Sequence, residues 1–126
     1  MKLKNANILI TGGASGIGKI MGRMALERGA NHLIVWDINT VNIEATIAEL
    51  APLGKVKGYI VDVANNSAVK SAYKQVCEEC GKVDILINCA GIITSNKTFN
   101  QLTEEEIVRT VNINTIAPMF VASAML

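Results

Sequence analysis

The stretch Ile8-Leu9-Ile10-Thr11-Gly12-Gly13-Ala14-Ser15-Gly16-Ile17-Gly18 decides the fold. Its first three residues are apolar in succession, the pattern of a strand buried on both faces as in a parallel sheet. A glycine-dense turn follows. Beyond it Ile17, Ile20, Met21, Met24 and Ala25 recur at helical spacing and predict one apolar helix face. Strand, turn and helix N-terminus in that order make an anion cradle. The first N–H groups of a helix have no internal partner, and the macrodipole places partial positive charge there. Gly12, Gly16 and Gly18 let the chain turn sharply and leave no side chain between backbone and phosphate. A second buried run, Leu33-Ile34-Val35-Trp36-Asp37, ends in a carboxylate 19 positions after Gly18. The ribose-binding acid of a dinucleotide fold follows its glycine loop at about 20 positions. A carboxylate there accepts hydrogen bonds from a free 2′-hydroxyl and repels a 2′-phosphate, and no Arg or Lys stands beside Asp37. The expected architecture is α/β, a doubly wound parallel sheet of the Rossmann type, and the expected cofactor is NAD.

The order of the glycines narrows this further. The general fingerprint G-x-G-x-x-G is absent. The chain instead has Thr11-Gly12-x-x-x-Gly16-x-Gly18, which resembles the cofactor loop of the short-chain dehydrogenase/reductase family. The resemblance implies that Gly12, Ser15, Gly16, Ile17 and Gly18 hold the cofactor. Ser15 stands where NADP-using members often carry a basic residue, which again favours NAD. The run Tyr59-Ile60-Val61-Asp62-Val63 is expected to be the third strand. By resemblance Asp62 accepts a hydrogen bond from the adenine amino group, with Val63 beside it. A capping or turn role before Ala64-Asn65 stays open. Val83 to Ile87 is expected to be a fourth buried strand, running into Asn88-Cys89-Ala90-Gly91. This tetrapeptide resembles the family's Asn-Asn-Ala-Gly motif, with Cys89 as a departure. Asn88 would then tie neighbouring strands together, and Ala90 and Gly91 would bring backbone against the cofactor ribose.

The intervening segments read as helices. Val41 to Ala51 places Ile43, Ile47, Leu50 and Ala51 inward and ends at Pro52 and Gly54. Val69 to Cys80 carries an apolar stripe that includes Cys77 and Cys80, and Gly81 closes it. These two cysteines have C-x-x-C spacing, but a zinc site needs further ligands and the single histidine, His32, is distant in sequence. They are expected to pack as small hydrophobes, with no metal site. After a mostly polar loop, Ile92 to Gln101, Thr103-Glu104-Glu105-Glu106 forms the capping box of a fourth helix. Ile107, Val111 and Asn114 fall at i, i+4 and i+7, which points Asn114 inward and Asn112 outward. Pro118 has no N–H to give the Asn114 carbonyl, so a kink is expected there. The resemblance implies a catalytic part for Asn114, whose main-chain carbonyl would hold a water of the proton relay. A purely structural kink is the alternative.

With 126 residues the sequence reads as one dinucleotide-binding domain, residues 1–126. Hydrophobic residues make up 50% and mean hydropathy is +0.32, which suits a sheet covered on both faces. A net charge of +1 without a basic cluster lends no electrostatic support to nucleic-acid binding. No apolar run reaches membrane-spanning length and the start lacks the apolar core of a signal peptide, so a cytoplasmic protein is expected.

The family's acid/base is a tyrosine followed four positions later by a lysine, with a serine upstream. Val63 and Cys77 stand where Tyr59 and Tyr73 would need that lysine. The sequence also ends within the apolar run Met119 to Leu126. It therefore reads as an amino-terminal part, incomplete at the carboxyl end and inactive alone. Two functions are compatible with these residues. One is an NAD-dependent oxidoreductase interconverting a secondary alcohol and a ketone, present as its cofactor-binding part. The other is a non-catalytic dinucleotide-binding sensor or interaction module. A small-molecule alcohol or ketone is the expected partner of the first, and the resemblance implies a homo-oligomer, since the family's fourth helix commonly builds a subunit interface and here is apolar at its end.

Overall fold

The computed structural model describes residues 2–94 and 96–126. Four strands, β1 (Asn7–Thr11), β2 (His32–Asp37), β3 (Lys55–Ile60) and β4 (Ile85–Asn88), form one parallel sheet in the order β3-β2-β1-β4. The chain steps outward from β1 to β3 and then crosses back, so the order reverses between β1 and β4. Open α/β sheets bind ligands beyond the carboxyl ends of the strands at that reversal.

Helices cover both faces. On one face α1 (Gly16–Glu27) and α2 (Thr40–Leu50) enclose Ile8, Ile10, Leu33 and Val35. On the other, α3 (Asn66–Cys80) and α5 (Ala117–Met125) enclose Leu9, Ile34 and Trp36. Ile8, Leu9 and Ile10 are all fully buried, each stabilising the fold by about 1.5–3 kcal/mol. Side-chain hydrogen bonds start α2 and α3: Asn39 accepts from the Asn42 N–H at 2.9 Å, and Asn65 from the Ala68 N–H at 3.1 Å. Gly81, with φ +83, ends α3. Cys80 is buried in the core as expected, while Cys77 is half-buried.

Three local expectations are corrected. The buried stripe of α1 is Gly18, Gly22, Ala25 and Leu26, whereas Ile17, Ile20 and Met24 are exposed. The helix lies so close to the sheet that a Cβ on Gly22 would sit 2.8 Å from Leu33 Cδ2, so small residues take the packed face. Next, β3 is Lys55–Ile60 rather than Tyr59 to Val63, because as the edge strand it keeps Lys55 and Lys57 in solvent. Val61 and Val63 follow the strand and turn back into the core.

The third correction concerns the fourth helix. It begins at α4 (Glu104–Val111) with the expected capping box: the Thr103 N–H donates to Glu106 Oε2 at 2.9 Å and the Glu106 N–H to Thr103 Oγ1 at 3.2 Å. It continues through a π turn, Asn112–Ile116, in which the Ala117 N–H donates to the Asn112 carbonyl, and then becomes α5. A widened turn, rather than a simple kink, thus precedes Pro118. The side-chain directions are also reversed. Ile107 and Val111 are 38% and 46% exposed, Asn114 is exposed and Asn112 is half-buried. None of α4 enters the core; it is a wall, and core packing resumes only at Ala117 and Val121.

Candidate functional site

A cleft of about 780 Å³ opens at the carboxyl ends of the strands, where the strand order reverses. Its floor is held by Thr11, the last residue of β1 and 1% exposed. Thr11 Oγ1 accepts from the Cys89 N–H at 3.1 Å and from the Ala90 N–H at 3.2 Å, which locks the end of β4 to the end of β1. Asn88 was expected to join the strands, but its Nδ2 reaches the Pro118 carbonyl at 3.5 Å and so faces α5. The Thr11 hydroxyl makes the strand tie instead.

The glycines divide their work. Gly12 has φ +65, and a Cβ there would lie 2.8 Å from Ala90 Cα, so the loop and the β4 end meet backbone to backbone. Gly18 has the Gly12 carbonyl in the same position. Only Gly16, with φ +51, has nothing within 4 Å of a would-be Cβ, so it alone faces open space. The Ser15 hydroxyl does not cap α1, leaving the first N–H groups of the helix available to an anion.

Asp37 stands at the adjoining rim. One carboxylate oxygen accepts from the Ala14 N–H at 3.2 Å, the other from the Ile38 and Asn39 N–H groups at 2.8 and 3.2 Å. Three backbone donors hold a negative charge in fixed orientation and bind it to the glycine loop. Asp62 is exposed and accepts from the Ala64 N–H at 3.0 Å, making a turn beyond β3 that still lines the cleft. Val63 beside it is buried.

At the other end Asn114 grips Ile92. Its Oδ1 accepts from the Ile92 N–H at 2.8 Å and its Nδ2 donates to the Ile92 carbonyl at 2.7 Å. The asparagine thus finds its partners at the surface, in the loop after β4.

Of the residues expected from the sequence, Gly12, Ser15, Gly16, Ile17, Gly18, Asp37, Asp62, Val63, Ala90 and Gly91 share the cleft lining. Asn88 and Asn114 flank it without lining it. The wall from α4 and the first residue of the π turn was not foreseen. Glu105, Val108, Arg109 and Asn112 line the cleft at i, i+3, i+4 and i+7, a mixed polar stripe that a search for apolar periodicity passes over. Trp36 also lines it, fully buried, and its Nε1 is without a partner among the described residues.

Neither tyrosine belongs to this site. Tyr59 Oη donates to Glu79 Oε2 at 2.7 Å, and burial followed by that bond pushes its pKa far above the ordinary phenol range. Burial and then the Cys77 thiol raise that of Tyr73. Among the described residues no group of three His, Cys, Asp or Glu side chains is placed to hold a metal ion, and no helix is long and apolar enough to cross a membrane.

The short chain dehydrogenase family model matches residues 6–126. The estradiol 17-beta-dehydrogenase 11 of Pongo abelii is 34% identical over 120 residues, covering 94% of this chain and 39% of that protein. The 3-oxoacyl-(acyl-carrier-protein) reductase FabG of Thermotoga maritima is 34% identical over 115 residues, 90% of this chain and 46% of that one. A solved short chain dehydrogenase from Mycobacterium smegmatis superposes with a TM-score of 0.89 at 31% identity, covering 97% of this chain and 50% of its own. The chain spans half or less of the length of these proteins. Because the family match begins before β1 and runs through α5, every strand of the sheet and the whole cleft fall inside it, and the chain belongs to the short chain dehydrogenase family.

Proposed function

We propose that this chain is the cofactor-binding part of an NAD-dependent oxidoreductase that interconverts a secondary alcohol and a ketone. The observation that carries the reading is Asp37, fixed by three backbone N–H donors at the rim of the cleft. A carboxylate so held offers acceptors to two ribose hydroxyls. Against a 2′-phosphate it sets a charge repulsion of about 4 kcal/mol per unit charge at contact distance, taking the effective dielectric of a protein surface.

The bound nicotinamide supplies the hydride-carrying carbon. The residues of this chain bind and orient. The N-terminus of α1, beside Gly16, Ile17 and Gly18, holds the diphosphate. Asp37 holds the ribose of the adenosine half, Asp62 the adenine amino group, and Val63 packs beside the base. Ala90 and Gly91 admit the second ribose to the backbone. Asn114 fixes the loop at Ile92 and offers its main-chain carbonyl to a relay water. A tyrosine–lysine acid/base pair has no counterpart in this chain, so the isolated chain binds the cofactor without turning it over. We assign to the whole protein a small-molecule alcohol or ketone substrate and a cytoplasmic location. Its homo-oligomer would use the exposed apolar residues Ile107, Val111 and Met119 of the fourth helix.

Trp36, the single tryptophan, lines the cleft and serves as the reporter. Titration of NADH and NADPH against its fluorescence is expected to give about tenfold or greater preference for NADH, and Asp37→Ala is expected to abolish the preference. Equal affinities in the parent would refute the NAD assignment. Binding of neither would refute the reading as a whole.

A further inference from the structure

The wall of the cleft formed by α4 brings in a charge that no group above uses. Arg109 is the only Lys or Arg among the described residues lining the cleft, whose acidic lining residues are Asp37, Asp62 and Glu105. Other basic side chains near acids are paired: Lys19 and Arg23 with Glu49, Lys57 with Glu79 and Lys97 with Glu106. Among the described residues no carboxylate lies within ion-pair distance of the Arg109 guanidinium. Nor does Arg109 have the ordinary duty of a basic residue in a last helical turn. Free carbonyls would invite it there, but α4 runs on into the π turn and α5.

The same cleft presents, on the α1 side, a helix N-terminus without a side-chain cap. Arg109 of α4 and the N-terminal residues Gly16, Ile17 and Gly18 of α1 line one and the same cavity. This arrangement complements a ligand with several anionic oxygens, since the planar fork of Arg matches two phosphate oxygens at once. We propose that Arg109 is a binding residue for the diphosphate of the dinucleotide, completing from α4 the cradle that α1 begins. The inference rests on the reading of the cleft as a dinucleotide site.

The test measures binding, by calorimetry, of NADH, ADP and adenosine to the parent and to Arg109→Met and Arg109→Lys. Arg109→Met is expected to weaken NADH and ADP about tenfold at low salt, the scale of one solvent-accessible bond to a charged group. High salt should shrink that difference, because the lost attraction is screened. Adenosine, which has no phosphate, should bind parent and variant alike, and this also shows that the variant is folded. Arg109→Lys should recover part of the loss. Affinities of Arg109→Met for NADH and ADP within about twofold of the parent would overturn the proposal, as would an equal loss for adenosine, which would put the guanidinium on the base. A parent that binds none of the three would overturn the dinucleotide reading itself, and the Arg109 assignment with it.

Discussion

Replacing Thr11 by Val tests whether one buried hydroxyl sets the floor of the cleft. The substitution keeps the branched shape at a position that is 1% exposed, so packing changes little while the acceptor for the Cys89 and Ala90 N–H groups is lost. An unmet buried N–H costs about 1–3 kcal/mol. Cys89 and Ala90 are only half-buried and border the cleft, so water can satisfy part of the loss. The expected total is therefore near the low end for two groups, about 2 kcal/mol. For a chain of this length that corresponds to a fall in Tm of about 8 °C. Thermal unfolding followed by far-ultraviolet circular dichroism reads this directly, and hydrogen exchange at Cys89 and Ala90 should quicken more than at Leu9. Thr11→Ser retains the acceptor and should stay much closer to the parent. A Tm for Thr11→Val within about 2 °C of the parent, or an equal fall for Thr11→Ser, would refute the argument.

Gly12 and Gly16 both have left-handed backbone, yet Ala substitutions there should differ. At Gly16 only the backbone preference is violated, at about 1–2 kcal/mol; at Gly12 the new methyl also meets the Ala90 backbone, which cannot yield cheaply. Equal Tm values for the two variants would contradict this. Glu79 predicts the acid limb of stability. Hydrogen bonds from Tyr59, then Gln75 and Lys57, hold its pKa at about 2, below the ordinary 4.5. A carboxylate depressed in the folded state contributes fully above pH 4.5 and loses that contribution as the pH falls toward 2. Glu79→Gln should flatten stability against pH across this window, and an unchanged acid limb would show that the cluster contributes nothing.

How far the sequence carried the reading depended on whether a residue's role was local. The place of the glycine loop and Asp37 at the cleft was legible because turn geometry and strand-end position are written in neighbouring residues. The stripe of α1 was misread because Gly18 and Gly22, which set how close the helix lies, add nothing to a count of apolar residues. The start of β3 was hidden for a related reason: an edge strand is covered on fewer sides and can keep Lys55 and Lys57. Pro118 announced a disturbance in the fourth helix, but whether the helix would bend or widen is settled by packing against β4 and α3, which are distant in sequence. Arg109 lay beyond reach because its partner surface is assembled from loops far away in the chain.

The π turn at Asn112–Ile116 has one more consequence. A helix advances about 100° per residue, and a π turn holds one residue more than an α turn. Everything after it is set back by that angle relative to everything before. Glu105 and Arg109 can thus look into the cleft while Ala117 and Val121, on the same continuous rod, look into the core. Deleting a single residue between them would restore an unbroken α ladder and swing one set out of place whenever the other was seated. The cleft wall and the core are geared together through one surplus residue.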